Sequence, residues 1–113
     1  MRRYMAMALA SALSLFSVAP AFADRLQEIL SNGVVRIGVP LDSPPFGYQD
    51  ANREPIGFDV EMAQMVAEGL GVTLEIQQVT AANRVPFLLT DKVDIIISNL
   101  GLNPERARQV QFT

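Results

Sequence analysis

Hydrophobic positions recur along the chain with two different spacings, and the places where the spacing changes divide it into elements. Leu26, Ile29 and Leu30 share one face of a helix that Asp24 opens, with Gln27 three residues on completing a capping box, and Asn32-Gly33 ends it. Val34 to Val39 is a β-branched run and reads as a strand. Residues 40–53 are rich in Pro, Gly, Asp and Asn and read as a long loop or weak hairpin. Asp59 is expected to cap a helix from Val60 to Leu70 that Gly71 terminates. Met62, Ala63, Val66 and Leu70 form its apolar face, and Glu61, Gln64 and Glu68 its wet one. Residues 72–79 alternate apolar and polar, as a strand with one wetted side does. Pro86 suits the first turn of a short helix reaching Thr90. Val93 to Ser98 is almost wholly apolar, which predicts a central strand buried on both faces. Asn103, Pro104 and Glu105 have the order of cap, first position and acidic second position of a last helix. Helices and strands alternating in this way predict an α/β fold: an open, mostly parallel sheet with helices on both faces.

The segment before Asp24 breaks this pattern. Arg2 and Arg3 precede an uncharged stretch from Tyr4 to Val18, and Pro20-Ala21-Phe22-Ala23 follows. A basic start, a short apolar core and an Ala-x-Ala site are the parts of a secretory signal peptide. The stretch is shorter than the ~20 apolar residues a membrane span needs. Residues 1–23 are therefore expected to be removed by cleavage after Ala23, leaving residues 24–113 as the mature chain. No second apolar stretch is long enough to cross a bilayer.

Composition narrows the chemistry. The 113 residues include no cysteine and no histidine, which excludes disulfides, thiolate metal sites, cysteine nucleophiles and imidazole-based triads. No metal or other cofactor is implied. The formal charge of −3, more negative once Arg2 and Arg3 are lost, argues against nucleic-acid binding. An acidic exported domain without cysteine fits a bacterial periplasm.

Ligands of open α/β sheets bind beyond the carboxyl ends of the strands. Here the apolar strand ends at Ser98-Asn99, and the loop through Gly101 leads to a helix with Arg106 in its first turn. A guanidinium at that place runs against the helix dipole, but it can grip a carboxylate with two parallel hydrogen bonds. Gly101 would let a ligand approach the backbone closely. The alternative is a surface arginine paired with Glu105 or Asp94. Arg84, just before Pro86, can also project over strand ends. Phe46, in the run Ser43-Pro44-Pro45-Phe46, is either an aromatic wall or a plug into the core. Arg108 points to another face and is read as solvated, and Asp59 is read as a cap. Asp42 and Asp94 have no visible partner that would make a catalytic carboxylate pair.

Taken in order, several segments resemble family 3 bacterial extracellular solute-binding proteins, the periplasmic amino-acid receptors of ABC transporters. They are Val35-Arg36-Ile37-Gly38-Val39, Pro45-Phe46, Gly57-Phe58-Asp59-Val60-Glu61-Met62-Ala63, Ala82-Asn83-Arg84-Val85-Pro86, residues 92–99, and Pro104-Glu105-Arg106 through Phe112. The resemblance implies the first lobe of a two-lobed receptor, here incomplete, that closes on a free amino acid and delivers it to membrane permease subunits. It would touch the inner membrane only through that permease. It further implies that Arg106 binds the ligand α-carboxylate, that Ser98, Asn99 and Gly101 add polar or backbone contacts, and that an aromatic packs on the ligand from the loop holding Ser43 to Phe46. In members resembling the glutamate/aspartate receptor, the arginine matching Arg84 also touches ligand, which points to an acidic or polar amino acid.

Two features depart from the family pattern. Gly101-Leu102-Asn103 stands where many members have Thr-x-Thr, and Ser43 stands where an aromatic is frequent. The second lobe, which in the family supplies the carboxylate for the ligand's amino group, is missing, so residues 24–113 are expected to bind weakly or not at all alone. Two other readings share the fold: a cyclohexadienyl (prephenate or arogenate) dehydratase, and the sensor lobe of a membrane receptor kinase.

Overall fold

The structure is a computed structural model that describes residues 21–113, with side chains from Asp24 onward. The expected leader, residues 1–23, lies almost entirely outside the described residues. The first helix, α1, spans Ala21–Asn32. It begins three residues earlier than expected, so Asp24 sits inside the first turn, where its charge favours the helix dipole, and not at the cap.

The main sheet has the order β5-β1-β6, all parallel, formed by β1 (Val34–Val39), β5 (Thr73–Gln78) and β6 (Ile95–Ile96). The central strand is therefore β1 and not the apolar run at 93–98. Every residue of β1 pairs along β5, from Val34 opposite Thr73 to Val39 opposite Gln78. The ladder to β6 contains only Ile37 opposite Ile95 and Gly38 opposite Ile96. Residues 93–98 leave the sheet quickly, and Ile95 and Ile96 are half-buried where full burial was expected. After β1, residues 42–56 form a small antiparallel sheet of β2 (Asp42–Ser43), β3 (Gly47–Gln49) and β4 (Pro55–Ile56), which gives the expected weak hairpin a third strand.

The core forms where α2 (Phe58–Leu70) crosses β1 and β5. Val35, Ile37 and Val39 are completely buried and pack with Val60, Ala63 and Ala67 of α2 and Ile29 of α1. The buried stripe of α2 is thus Asp59, Val60, Ala63 and Ala67, whereas Met62 is exposed. Alanines at 63 and 67 bring the helix close to the strands, and the longer methionine is turned outward. On the opposite side of β1, a Cβ on Gly38 would lie 2.6 Å from Ile96 Cδ1 and 2.9 Å from Val79 Cγ1, so only glycine lets these side chains close over the strand.

At the amino end of the sheet, Asp94 ties the pieces together. Its carboxylate accepts hydrogen bonds from Arg36 N and Nη2, each 2.8 Å, and from Arg25 Nη1 of α1 at 3.3 Å. Arg25 also pairs with Asp91. Burial pushes the Asp94 carboxyl up, but the Arg36 hydrogen bonds and the nearby Arg36 and Arg25 charges outweigh it and hold the net value below that of an ordinary aspartate. Among the described residues no helix is long and apolar enough to cross a membrane.

Candidate functional site

A cavity of about 450 Å³ opens beyond the carboxyl ends of the three parallel strands. Pro40 follows β1, Val79 to Ala81 follow β5, and Ser98 and Asn99 follow β6, so each strand hands its next residues to the wall. Asp42, Ser43, Pro44 and Phe46 close one side, and Asp59 of α2 and Arg84 of α3 (Arg84–Leu89) complete the lining. Both the position and the size, within the ~300–1,000 Å³ usual for small-molecule clefts, suit a ligand site.

Arg84 is placed by a reciprocal turn. Thr80 N donates to Asn83 Oδ1 at 2.7 Å, Asn83 N donates to Thr80 Oγ1 at 3.3 Å, and Arg84 N donates to Thr80 O at 3.1 Å. Pro86 follows at the third helical position, where the missing N–H would have no intrahelical partner anyway. The guanidinium then crosses to the far wall, with Nη1 donating to Asn99 O at 2.9 Å and lying 3.5 Å from Ser98 Oγ. Its Nε is buried and has no hydrogen-bond partner. The four ion pairs among the described residues use Arg25 and Arg36, so the Arg84 charge is uncompensated.

Asp59 is not a cap. Gly57 occupies the cap position with φ 117°, and no side chain caps the helix. A Cβ on Gly57 would stand 2.5 Å from Phe46 O, and the glycine lets the Ser43–Phe46 turn press on the start of α2. Phe58 N and Asp59 N donate to Pro45 O and Phe46 O at 3.1 and 2.7 Å, fixing that contact. Asp59 is thereby carried inward to 7% exposure, on the cavity wall, with Oδ2 lacking any hydrogen-bond partner. Burial raises its carboxyl above the usual aspartate value. The local cap rule missed it, but helical spacing carried back from Ala67 through Ala63 lands on Asp59.

Arg106 and Gly101 stand apart from this wall. Helix α4 (Pro104–Ala107) is capped as expected, Asn103 Oδ1 accepting from Arg106 N at 2.8 Å, which occupies one of the free N–H groups counted toward an anion site. The Arg106 guanidinium donates through Nη1 to Gly101 O at 2.8 Å, and it pairs with neither Glu105 nor Asp94. A Cβ on Gly101 would meet only Arg106 Nη1, at an ordinary 3.9 Å, so no close approach requires glycine there. Five of the seven residues singled out from sequence therefore share the cavity: Ser43, Phe46, Arg84, Ser98 and Asn99. Asp42, Asp59 and Thr80 join them unforeseen. Phe46 is 47% exposed, so it borders the opening and does not plug the core. Among the described residues no group of three or more acidic side chains could hold a metal ion.

At the amino ends of the strands, a smaller hollow of about 260 Å³ is lined by Arg36 and Asp94, which already satisfy each other.

Comparison with known proteins agrees with this architecture. Cyclohexadienyl dehydratase from Pseudomonas aeruginosa is 38% identical over 89 residues, which cover 79% of this chain and 33% of that protein. The crystal structure of a cysteine-binding protein from Campylobacter jejuni superposes with a TM-score of 0.73 at 48% identity, covering 77% of this chain and 36% of that one. The arginine-bound form of domain 1 from the T. maritima arginine-binding protein TmArgBP gives a TM-score of 0.68 at 42% identity, over 72% of this chain and 64% of that one. The chain spans about a third of the length of the curated relatives it matches. Residues 35–113 match the model of one family throughout. With the strands, the cavity and the relatives in agreement, the chain belongs to the bacterial extracellular solute-binding proteins, family 3.

Proposed function

We propose that this chain binds a free amino acid as the solute-binding component of an ABC importer, working in the bacterial periplasm after residues 1–23 are removed. The observation that carries the reading is the uncompensated Arg84 guanidinium in a cavity at the strand ends, beside Ser98 and Asn99. A carboxylate placed there gains charge-assisted hydrogen bonds from a partly desolvated cation. Arg106 adds a second guanidinium when it exchanges Gly101 O for the ligand α-carboxylate. Ser43 and Phe46 border the ligand, and delivery is to permease subunits. In this reading the protein carries out no reaction.

The arginine-bound domain 1 of TmArgBP supports binding by a single lobe of this fold, and so bears on the expectation that these residues alone bind weakly or not at all. We therefore expect titration calorimetry of the full chain to detect L-arginine, L-cysteine or L-cystine. Arg84→Ala and Arg106→Ala should each weaken that binding at least tenfold. Wild-type protein that binds none of these three and no other common amino acid, acidic and polar ones included, or variants that bind as tightly, would overturn the proposal.

The dehydratase relative supports a second reading, in which the same cavity takes a carboxylated substrate. Incubation with prephenate and arogenate separates the two: the receptor reading predicts no turnover.

A further inference from the structure

Peroxides attack the sulfur of cysteine and methionine, and this chain keeps its sulfur in few places. It has no cysteine, and also no histidine or tryptophan. Of its five methionines, Met1, Met5 and Met7 lie in residues 1–23, so Met62 and Met65 carry all the sulfur of residues 24–113. Both belong to α2 and stand three residues apart.

The fold decides what an oxygen atom added there disturbs. The stripe of α2 turned inward is Asp59, Val60, Ala63 and Ala67. At about 3.6 residues per turn, Met65 falls on the opposite side of the helix and Met62 on the flank. Met65 is 65% exposed and Met62 38%, and neither lines the cavity at the strand ends. No residue lining that cavity carries sulfur. Sulfoxide is polar and disrupts a core when it forms inside one, but at an exposed thioether the new S–O group meets water. Single apolar side chains on a surface are ordinary. What sets this pair apart is that it holds all the sulfur beyond residue 23, on the side of α2 turned away from the core.

We infer that Met62 and Met65 form an oxidation site on the outer side of α2, where peroxide is reduced without damage to the cavity. At each residue the thioether sulfur attacks one oxygen of hydrogen peroxide, the O–O bond breaks and the sulfoxide S–O bond forms. The sulfur gives up two electrons, and the second oxygen takes the proton of the first and leaves as water. Glu61 and Glu68 neighbour Met65 along the helix, but the oxidant is neutral and their charges do not repel it. The inference holds whichever ligand the cavity takes.

The test treats the full chain with hydrogen peroxide and follows each methionine by peptide mass mapping. Met62 and Met65 should each be oxidised within about fivefold of the rate of N-acetyl-methionine amide, a fully exposed reference. A slower rate at either residue overturns the site. Amide NMR spectra before and after oxidation test the second half of the inference. Shifts should be confined to α2 and the residues beside it, with the Thr80, Arg84, Ser98 and Asn99 signals unmoved. The urea midpoint should stay within about 0.3 M. Displaced cavity signals or a larger fall in the midpoint overturn the claim that the cavity is undamaged. The double variant Met62→Leu, Met65→Leu controls for Met1, Met5 and Met7. It should take up two oxygen atoms fewer than wild type, and a smaller difference also overturns the site.

Discussion

Asp94 offers the sharpest quantitative test of how this lobe is held together. Asp94→Asn preserves the shape and removes the charge. The native carboxylate uses both oxygens: Oδ2 takes Arg36 N, and Oδ1 takes Arg36 Nη2, both at 2.8 Å, with Arg25 Nη1 at 3.3 Å. An asparagine keeps one acceptor and must turn its amide N–H toward a guanidinium. Breaking a fully buried pair costs ~3–5 kcal/mol. Here the Asp94 side chain is 4% exposed, but those of Arg36 and Arg25 are 31% and 34% exposed, so water takes up part of their unpaired charge. A loss of about 2 kcal/mol is expected, close to the ~1.5–3 kcal/mol of one charge-assisted hydrogen bond. With a urea slope of about 1.5 kcal/mol/M, the unfolding midpoint falls by about 1.3 M. The pH dependence has a definite sign. The folded value of Asp94 lies below the ordinary 3.8, so its contribution is complete above that value and is lost as pH falls through the lower folded one. The gap between wild type and variant should be constant near neutrality and close in acid. A midpoint shift under about 0.3 M at pH 7, or a gap undiminished in acid, would refute the reasoning, the former because it is far below one such bond.

Other positions test the site's supports. Gly47→Ala places a Cβ 1.9 Å from Pro40 O, so β3 must pull away from the first strand. A loss of about 3 kcal/mol is expected in urea melts, together with weakened amino-acid binding; an unchanged midpoint contradicts the packing described. Asn103→Ala removes the acceptor for Arg106 N, worth about 1 kcal/mol at a helix cap, and should speed hydrogen exchange at that amide about fivefold with little change in the global melt. Asp59→Asn should raise the stability of the unliganded protein near pH 7. A carboxyl whose folded value is raised penalises the native state above its unfolded value, and the advantage of the variant should vanish as pH falls below about 3.8. Equal urea midpoints for the two proteins at pH 7 would contradict the burial of an unpaired carboxylate.

Much of this architecture follows from patterns a few residues long. The β-branched run of Val34 to Val39 forms the strand it predicts, residue for residue, and the Asn103-Pro104 signal produces the observed cap. The location of the cavity was also legible, because loops after parallel strands converge wherever the sheet ends. Centrality was misjudged for a physical reason. Val93 to Ser98 is the more apolar run, yet it pairs through two residues before turning away, while β1 pairs along its whole length on one side. Apolar content reports burial, and here Val93 reaches 1% exposure without belonging to a strand at all.

The misreading of Asp59 has a different origin, and it bears on function. An aspartate before an apolar helix satisfies a strong local rule, in which the carboxylate bonds to the N–H groups of the first turn. Gly57 displaces that rule: with φ 117° it starts the helix earlier and lets Phe46 O take the Asp59 N–H. The carboxylate is thereby rotated onto the buried stripe with Ala63 and Ala67, away from the groups that would have satisfied it. Nothing within ten residues of Asp59 reveals the consequence, because the opposite charge is Arg84, brought to the same wall by β5 and the Thr80–Asn83 turn. A local pattern can place each charged residue on an element. Only the closure of the sheet shows that two of them face one space without pairing.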